Sequence, residues 1–136
     1  MAYVIKAEIR DPAGTTFEFA AQKTMYGGKN IAVGDVVFVF ASENEAGQGL
    51  LCRGVVTAAS AVARKRGVAR QTPRVNIVVK RTARAKRALG RSELKRFSEW
   101  DDGRPETELN FKFYRQATNK IGGISDGASK FLGAYF

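Results

Sequence analysis

Alternating runs of apolar and polar residues divide the first half of the chain into strand-length segments. Residues 3–9 alternate and include β-branched side chains, and residues 15–20 alternate again after a turn at 11–14. We therefore expect these two runs to form a hairpin. Residues 36–40 are apolar at every position, which is typical of a strand buried on both faces.

The second half of the chain continues the pattern with shorter elements. We expect strands over residues 49–58, 74–82 and 109–114, the first of them antiparallel to 36–40 because the connection is short. Ser92 and Ser125 are good N-caps and predict helices over 92–97 and 126–134. Residues 22–32 break the alternation, and residues 42–48, 59–74, 99–107 and 119–123 are predicted to be loops. Four to six strands with short helices predict a mainly β, α+β barrel with helices at its ends.

Composition limits both the organisation and the chemistry of the chain. Its 136 residues are the usual size of one domain, so we expect a single domain over 1–136. The only cysteine, Cys52, lies in an apolar run and is expected to be a buried, inert thiol. The chain has no histidine, which excludes Ser-His-Asp and Cys-His nucleophiles and most metal sites. We expect no catalytic residues, no metal and no cofactor.

The chain carries no sign of a targeting or membrane segment. Residues 1–8 alternate and carry charge early, unlike a signal peptide. No apolar stretch approaches the roughly 20 residues needed to span a bilayer. We expect a cytoplasmic protein without membrane contact, and the oligomeric state is left open.

The positive charge is concentrated in one segment. The formal net charge is +10, from 23 basic and 13 acidic residues. Residues 64–91 contain eleven Lys and Arg and no Asp or Glu, so the rest of the chain has 23 − 11 = 12 basic residues against 13 acidic ones. A localised field of this kind attracts polyanions, because each phosphate that is neutralised releases a counterion.

The order of several short motifs resembles the PUA-like superfamily, particularly its EVE and ASCH branches. Residues 31–40, with Gly34-Asp35 before the apolar run, resemble the entry to the central barrel strand. Residues 54–58 (Gly-Val-Val-Thr-Ala), 92–95 (Ser-Glu-Leu-Lys) and 114–116 (Tyr-Arg-Gln) resemble later segments of the same fold. The resemblance implies a PUA-like pseudobarrel of about five to six strands with short peripheral helices. It also implies a cleft that accepts a base, often modified, in DNA or RNA.

The resemblance and the residue types together indicate a base-binding cleft. The segment before the Gly-Asp strand contains two glycines, hydrogen-bond donors and an aromatic ring, which suit phosphate approach and base stacking. Trp100 lies in a polar loop, and an Arg-Gln pair follows the 109–114 run. The expected cleft residues are Lys23, Thr24, Tyr26, Asn30, Trp100, Arg115 and Gln116. The expected phosphate contacts are Arg64, Lys65, Arg66, Arg84, Lys86 and Arg87.

Two other functions stay open beside nucleic-acid or nucleotide-like ligand binding. One is an ASCH-like amidohydrolase acting on a modified nucleoside, supported by Lys23 and Thr24 alone, because Tyr26 stands where the resemblance implies a threonine. The absence of a carboxylate between Glu45 and Glu93 favours a binding protein over this enzyme. The other is a protein-interaction module whose basic segment contacts an acidic partner.

Overall fold

The computed structural model describes residues 1–116 and 118–136, apart from the side chain of Glu45. The described residues form six strands: β1 (Ala2–Ala7), β2 (Thr16–Met25), β3 (Val36–Ala41), β4 (Gly49–Ala61), β5 (Arg74–Arg84) and β6 (Lys120–Gly123). They close into a barrel in the order β1-β3-β4-β5-β2-β6. This confirms the expected mainly β barrel with five to six strands.

Short helices cover one side of the barrel. They are α1 (Arg91–Leu94), α2 (Pro105–Leu109), a π-helical segment (Asn110–Tyr114) that continues α2, and α3 (Asp126–Gly133). Ser125 caps α3 as expected, because its Oγ accepts a hydrogen bond from the Ala128 N–H. At α1 the cap is Gly90 rather than Ser92, and the Gly90 N–H donates to Glu93 Oε1 at 2.7 Å. None of the helices in the described parts of the chain could span a membrane.

The expected hairpin between residues 3–9 and 15–20 is wrong. β1 pairs in parallel with β3 and antiparallel with β6, whereas β2 pairs with β5 and β6. The alternation of each run was interpreted correctly, but alternation does not specify which strand is the neighbour. The break in alternation from residue 22 does not end the strand, because β2 continues to Met25 after a bulge where Ala21 has φ 50°.

The strand predicted over 109–114 is wrong, since this segment is helical. Leu109 and Phe113 are four residues apart and both about 1% exposed, so they share the buried face of a helix rather than one face of a strand. The glycine loop predicted at 119–123 is instead the strand β6. A Cβ on Gly123 would lie 2.6 Å from the Tyr26 carbonyl oxygen, so glycine is required by the close approach of backbone.

Two hydrophobic cores meet at the wall formed by β1 and β3. Ile5, Val37 and Val39 point into the barrel, where Cys52 is fully buried, as expected, and burial raises its pKa to about 11. Val4, Phe38 and Phe40 point outward against the helices. β3 is therefore buried on both faces, which confirms the expectation from its continuous apolar run. Lys6 lies on the same outward face of β1 as Val4.

Candidate nucleic-acid interface

Two lysines lie buried side by side beneath the helices. Lys6 and Lys120 are directly opposite each other in the antiparallel pairing of β1 with β6, and each is about 1% exposed. Neither ammonium forms a salt bridge with a described carboxylate. Burial, followed by the positive charges of Lys120 and Arg91, lowers the pKa of Lys6 to about 8, and burial also lowers the pKa of Lys120. We call Lys6 and Lys120 the lysine pair.

Aromatic rings of the π-helical segment cover the lysine pair. The Lys6 ammonium lies 5.3 Å from the centroid of the Tyr114 ring, and the Lys120 ammonium lies 5.7 Å from that of Phe113. The Arg91 guanidinium lies 5.4 Å from the same Tyr114 ring. These contacts stabilise the cations only partly, since a cation–π contact contributes about 2 kcal/mol when desolvated.

Three buried polar atoms in this part of the fold have no hydrogen-bond partner among the described residues. They are Ser42 Oγ, Tyr114 Oη and Asn119 Oδ1. Ser42 follows β3 and Asn119 precedes β6, so both lie at the barrel end where Lys6 and Lys120 are placed. A buried polar group left unpaired costs about 1–3 kcal/mol, and such groups are rare in folded proteins. Their concentration beside the lysine pair indicates a site built for an additional hydrogen-bonding partner.

Glu43 and Arg91 form the charged border of the site. The Arg91 N–H donates to Glu43 Oε1 at 2.8 Å, which ties the start of α1 to the residues after β3. Burial, followed by the Glu43 carboxylate, raises the pKa of Tyr114, so its hydroxyl remains a hydrogen-bond donor. Together with the lysine pair, these groups can offer several donors and a few acceptors to one polar heterocycle.

A cavity of about 600 Å³ opens in the barrel wall beside this site. It lies between the end of β1 and the first half of β2, where the short β6 leaves a gap, and its lining includes Phe17, Phe19 and Asn119. Asn119 thus borders the cavity and carries one of the unpaired buried oxygens. The size suits a small ligand, since ligand pockets are about 300–1,000 Å³.

The structure separates the expected cleft residues into three groups. Lys23, Thr24 and Asn30 lie on the other side of β6 from Lys6, at the end of β2 and in the turn that follows it. Thr24 pairs with Ile121, the residue after Lys120, and Lys23 pairs with Arg74 of β5. Thr24 is 5% exposed and its Oγ1 donates to the Pro73 carbonyl at 2.7 Å, so its hydroxyl is already engaged.

Tyr26 forms the second group with a residue that sequence reasoning did not select. Its ring is 40% exposed and lies 5.1 Å from the Lys112 ammonium. Lys112 is held in turn by Glu108 Oε2 at 3.0 Å and the Gly123 carbonyl at 2.8 Å.

Trp100, Arg115 and Gln116 form the third group, on the helical side of the barrel. The Arg115 guanidinium lies 5.4 Å from the Trp100 ring and 4.9 Å from the Phe111 ring. Trp100 is 44% exposed, and Gln116 is exposed. Arg115 directly follows Tyr114, so this aromatic and cationic surface adjoins the residue that covers Lys6.

The expected phosphate contacts occupy both ends of β5. Arg64, Lys65 and Arg66 precede the strand, and Arg84, Lys86 and Arg87 end or follow it. The ten steps from Arg74 to Arg84 correspond to about 33 Å at roughly 3.3 Å per strand residue. Arg84, Lys86 and Arg87 share the barrel end of the lysine pair, because β5 runs antiparallel to β4 and the start of β4 pairs with the end of β3.

The Gly-Asp motif of the predicted barrel entry is structural. Gly34 has φ +94°, and the Asp35 carboxylate accepts a hydrogen bond from the Ala32 N–H at 2.8 Å. The Gly34 N–H donates to the Val56 carbonyl and the Val56 N–H donates to the Asp35 carbonyl, which joins the turn to β4. The motif therefore fixes the start of β3 and contacts no part of the lysine-pair site.

Sequence reasoning missed Lys6, Ser42 and Lys120. Lys6 could have been found from the sequence, because it is a cation in a predicted strand and the residues before and after it are apolar. Lys120 carried none, because its segment was interpreted as a loop and the pairing with β1 is long-range.

Comparisons with known proteins identify the fold. No family model and no curated protein sequence matches the chain. Among solved structures, the DUF55 domain of human thymocyte nuclear protein 1 superposes with a TM-score of 0.67 at 13% identity, covering 98% of this chain and 97% of that one. Human THYN1 in complex with DNA containing 5-methylcytosine gives 0.64 at 14% identity, covering 98% and 95%.

A mutant of the ASCH protein from Zymomonas mobilis gives a TM-score of 0.54 at 9% identity, covering 98% of this chain and 96% of that one. EVE and ASCH domains therefore both superpose over nearly the whole chain, as the resemblance of the short motifs implied. The barrel order, the helices packed on one side and these superpositions together show that the chain has the PUA-like pseudobarrel fold of EVE and ASCH domains.

Proposed function

We propose that the protein binds nucleic acid and recognises one base at the lysine pair. The observation that carries this proposal is the burial of Lys6 and Lys120, each about 1% exposed and without a described salt-bridge partner, among three unpaired polar atoms. The Lys120 ammonium donates to the Thr118 carbonyl at 3.2 Å, and the remaining donors of the pair and the unpaired atoms are free to gain partners from a ligand.

The chemistry of a nucleobase fits this set of groups. An extruded base presents both acceptors and donors on its Watson–Crick edge. The two ammonium groups and the Tyr114 and Ser42 hydroxyls can donate to ring nitrogens and carbonyl oxygens, whereas Asn119 Oδ1 can accept from an exocyclic amino group. Arg84 and Lys86 at the same barrel end are exposed and suited to the flanking phosphates.

The solved complex of THYN1 with DNA containing 5-methylcytosine makes this base the first to test. Six-nucleotide single strands, identical except for one central cytosine, 5-methylcytosine, thymine or abasic position, would be titrated by fluorescence anisotropy. Base recognition requires that at least one base binds more tightly than the abasic strand. It also requires that Lys6→Met removes this preference while the exposed-lysine control Lys130→Met keeps it. Equal affinities for all four strands would refute the proposal.

A further inference from the structure

Four cationic residues on four adjacent strands form a row across the outside of the barrel. In the order β1, β6, β2, β5 they are Lys6, Lys120, Lys23 and Arg74, and we call them the cationic row. Lys120 and Lys23 are neighbours because the residues that follow them, Ile121 and Thr24, pair with each other. Ile121 packs inside the barrel, so Lys120 before it points outward. Adjacent strands lie about 4.8 Å apart, so the row extends over about 14 Å.

The cationic row is buried at one end and open at the other. Lys6 and Lys120 are each about 1% exposed beneath the rings of the π-helical segment. Lys23 and Arg74, on the next two strands, are exposed. The covered part of the barrel wall therefore ends between β6 and β2, one strand spacing from the lysine pair.

A groove of about 520 Å³ adjoins the open end of the cationic row. Arg74 belongs to both, and Pro73 of the groove accepts hydrogen bonds at its carbonyl from the Thr24 N–H at 3.1 Å and from Thr24 Oγ1 at 2.7 Å. The described lining of the groove contains no carboxylate and has four cationic side chains: Lys29, Arg64, Lys65 and Arg74. We call this site the cationic groove.

Two side chains fix the walls of the cationic groove. Gln71 Oε1 accepts from the Lys65 N–H at 2.8 Å, and Gln71 Nε2 donates to the Lys65 carbonyl at 2.7 Å. The Arg74 guanidinium donates to the Ala21 carbonyl at 2.7 Å, which ties the start of β5 to the bulge of β2. Groups held in this way need less ordering when a ligand binds, which lowers the entropic cost of binding.

The cavity in the gap beside β6 differs in charge from the cationic groove. Its lining includes one guanidinium and three carboxylates: Arg10, Glu8, Asp11 and Glu18. Phosphates are repelled from this cavity and attracted along the cationic row. Electrostatics therefore direct the backbone of a bound strand across β2 towards the cationic groove.

We propose that the strand whose base is recognised leaves the lysine pair across β2 and enters the cationic groove. Lys23, one strand from the lysine pair, contacts the phosphate next to the base, and Arg64 and Lys65 contact the phosphates beyond it on the same side. Arg84 and Lys86 lie beyond β3 and β4, on the other side of Lys6, and contact the opposite flank. This inference rests on the proposed function, because the lysine pair is where the base is held.

The experiment maps the phosphates of the hexamer that carries the preferred central base. In each probe one internucleotide phosphate is replaced by an uncharged methylphosphonate, and the affinity is measured by fluorescence anisotropy. The variants are Lys23→Ala and Arg64→Ala/Lys65→Ala. The control is Lys95→Ala/Lys130→Ala, and all five substituted side chains are exposed.

The wild-type protein and the control variant are expected to lose about threefold or more in affinity when a contacted phosphate is neutralised. Lys23→Ala should become insensitive at the phosphate next to the base on one side, because the cation that contacts this phosphate is already missing. It should stay sensitive at the next phosphate on that side. Arg64→Ala/Lys65→Ala should show the reverse.

The proposal is overturned if Lys23→Ala and the groove variant lose sensitivity on opposite sides of the base, at one and the same phosphate, or at none. The same losses in the control variant would show a general charge effect and overturn it as well. If no base binds more tightly than the abasic position, the proposed function fails, and the map is repeated with the abasic strand. Sensitivity lost there in the expected order supports the path across β2 by itself, and any other result refutes it.

Discussion

Lys6 and Lys120 face each other across the antiparallel pair of β1 and β6, both about 1% exposed and without a salt bridge to a described carboxylate. Two like charges held together in a dry environment destabilise the fold, because each loses hydration and repels the other. The fold retains them beneath aromatic rings that offer only partial compensation. Several consequences of this arrangement can be measured.

Replacing Lys6 by methionine should stabilise the free protein and weaken its binding to nucleic acid. Methionine has a similar shape, and replacing buried ionic groups by well-packed apolar side chains is often neutral or stabilising by about 1–4 kcal/mol. Urea denaturation measures the first effect and anisotropy with the base-containing hexamer the second. Lys130→Met, at an exposed position, should change neither. A Lys6→Met protein that is less stable than wild type would show that the ammonium has a partner within the fold.

The stability of the free protein should rise as the pH increases from about 8 towards 10. The folded-state pKa of Lys6 is lowered to about 8 from 10.5, and that of Lys120 is lowered as well, so the unfolded chain binds more protons in this window. From about pH 9 the raised pKa of Cys52 acts in the opposite direction, and above pH 10 the raised pKa of Tyr114 does so as well, so the rise is steepest between pH 8 and 9. Urea midpoints at pH 7.5, 8.5 and 9.5 would test the rise, and Lys6→Met should flatten it. A flat wild-type profile would contradict the lowered pKa of Lys6.

Removing Arg84 and Lys86 should weaken hexamer binding uniformly across bases. Both are exposed at the barrel end of the lysine pair, where they can contact phosphates but read no base edge. Arg84→Ala/Lys86→Ala is expected to reduce the slope of log affinity against log salt by up to about 1.4, or about 0.7 for each phosphate contact on a single strand. The pair Lys95→Ala/Lys130→Ala is the charge-matched control. A changed base preference with an unchanged slope would assign these residues a different role.

Substitution of Ser125 by alanine should destabilise the fold by about 1 kcal/mol. Its Oγ caps α3 by accepting from the Ala128 N–H at 3.1 Å, and its hydroxyl also bonds to the Glu108 carboxylate. Loss of an N-cap typically costs about 0.5–2 kcal/mol. Ser129→Ala, within the same helix and without a described side-chain hydrogen bond, should be nearly neutral. Equal denaturation midpoints for both variants would argue against the cap.

Sequence patterns predicted an element correctly where interactions within a few residues of the chain determine it. The apolar run of β3, the alternation of β5 and the Ser125 cap each reflect interactions within a few residues. The strand predicted over 109–114 was wrong because the spacing of Leu109 and Phe113 fits one face of a strand and also the i, i+4 spacing of a helix. Only their packing against the outer face of β1 and β3 selects the helix.

The candidate site was likewise predicted only in part from the sequence. Trp100 and Arg115 could be selected from residue type, and the fold does bring them together. Lys23, Thr24 and Asn30 were selected with them, but β2 places these three beside β6, where Thr24 pairs with the residue after Lys120. Residue type indicates what a side chain can bind, whereas the direction of its strand decides which other side chains are near it.

The sequence by itself determined a basic, mainly β chain whose positive charge is confined to one acid-free segment, because composition and short-range periodicity need no tertiary contacts. The tertiary structure alone decided that this segment spans the length of the barrel and that Lys6 meets Lys120. Both facts depend on pairing between strands far apart in the chain, and such pairing is set by the closure of the whole barrel rather than by the residues of any one strand.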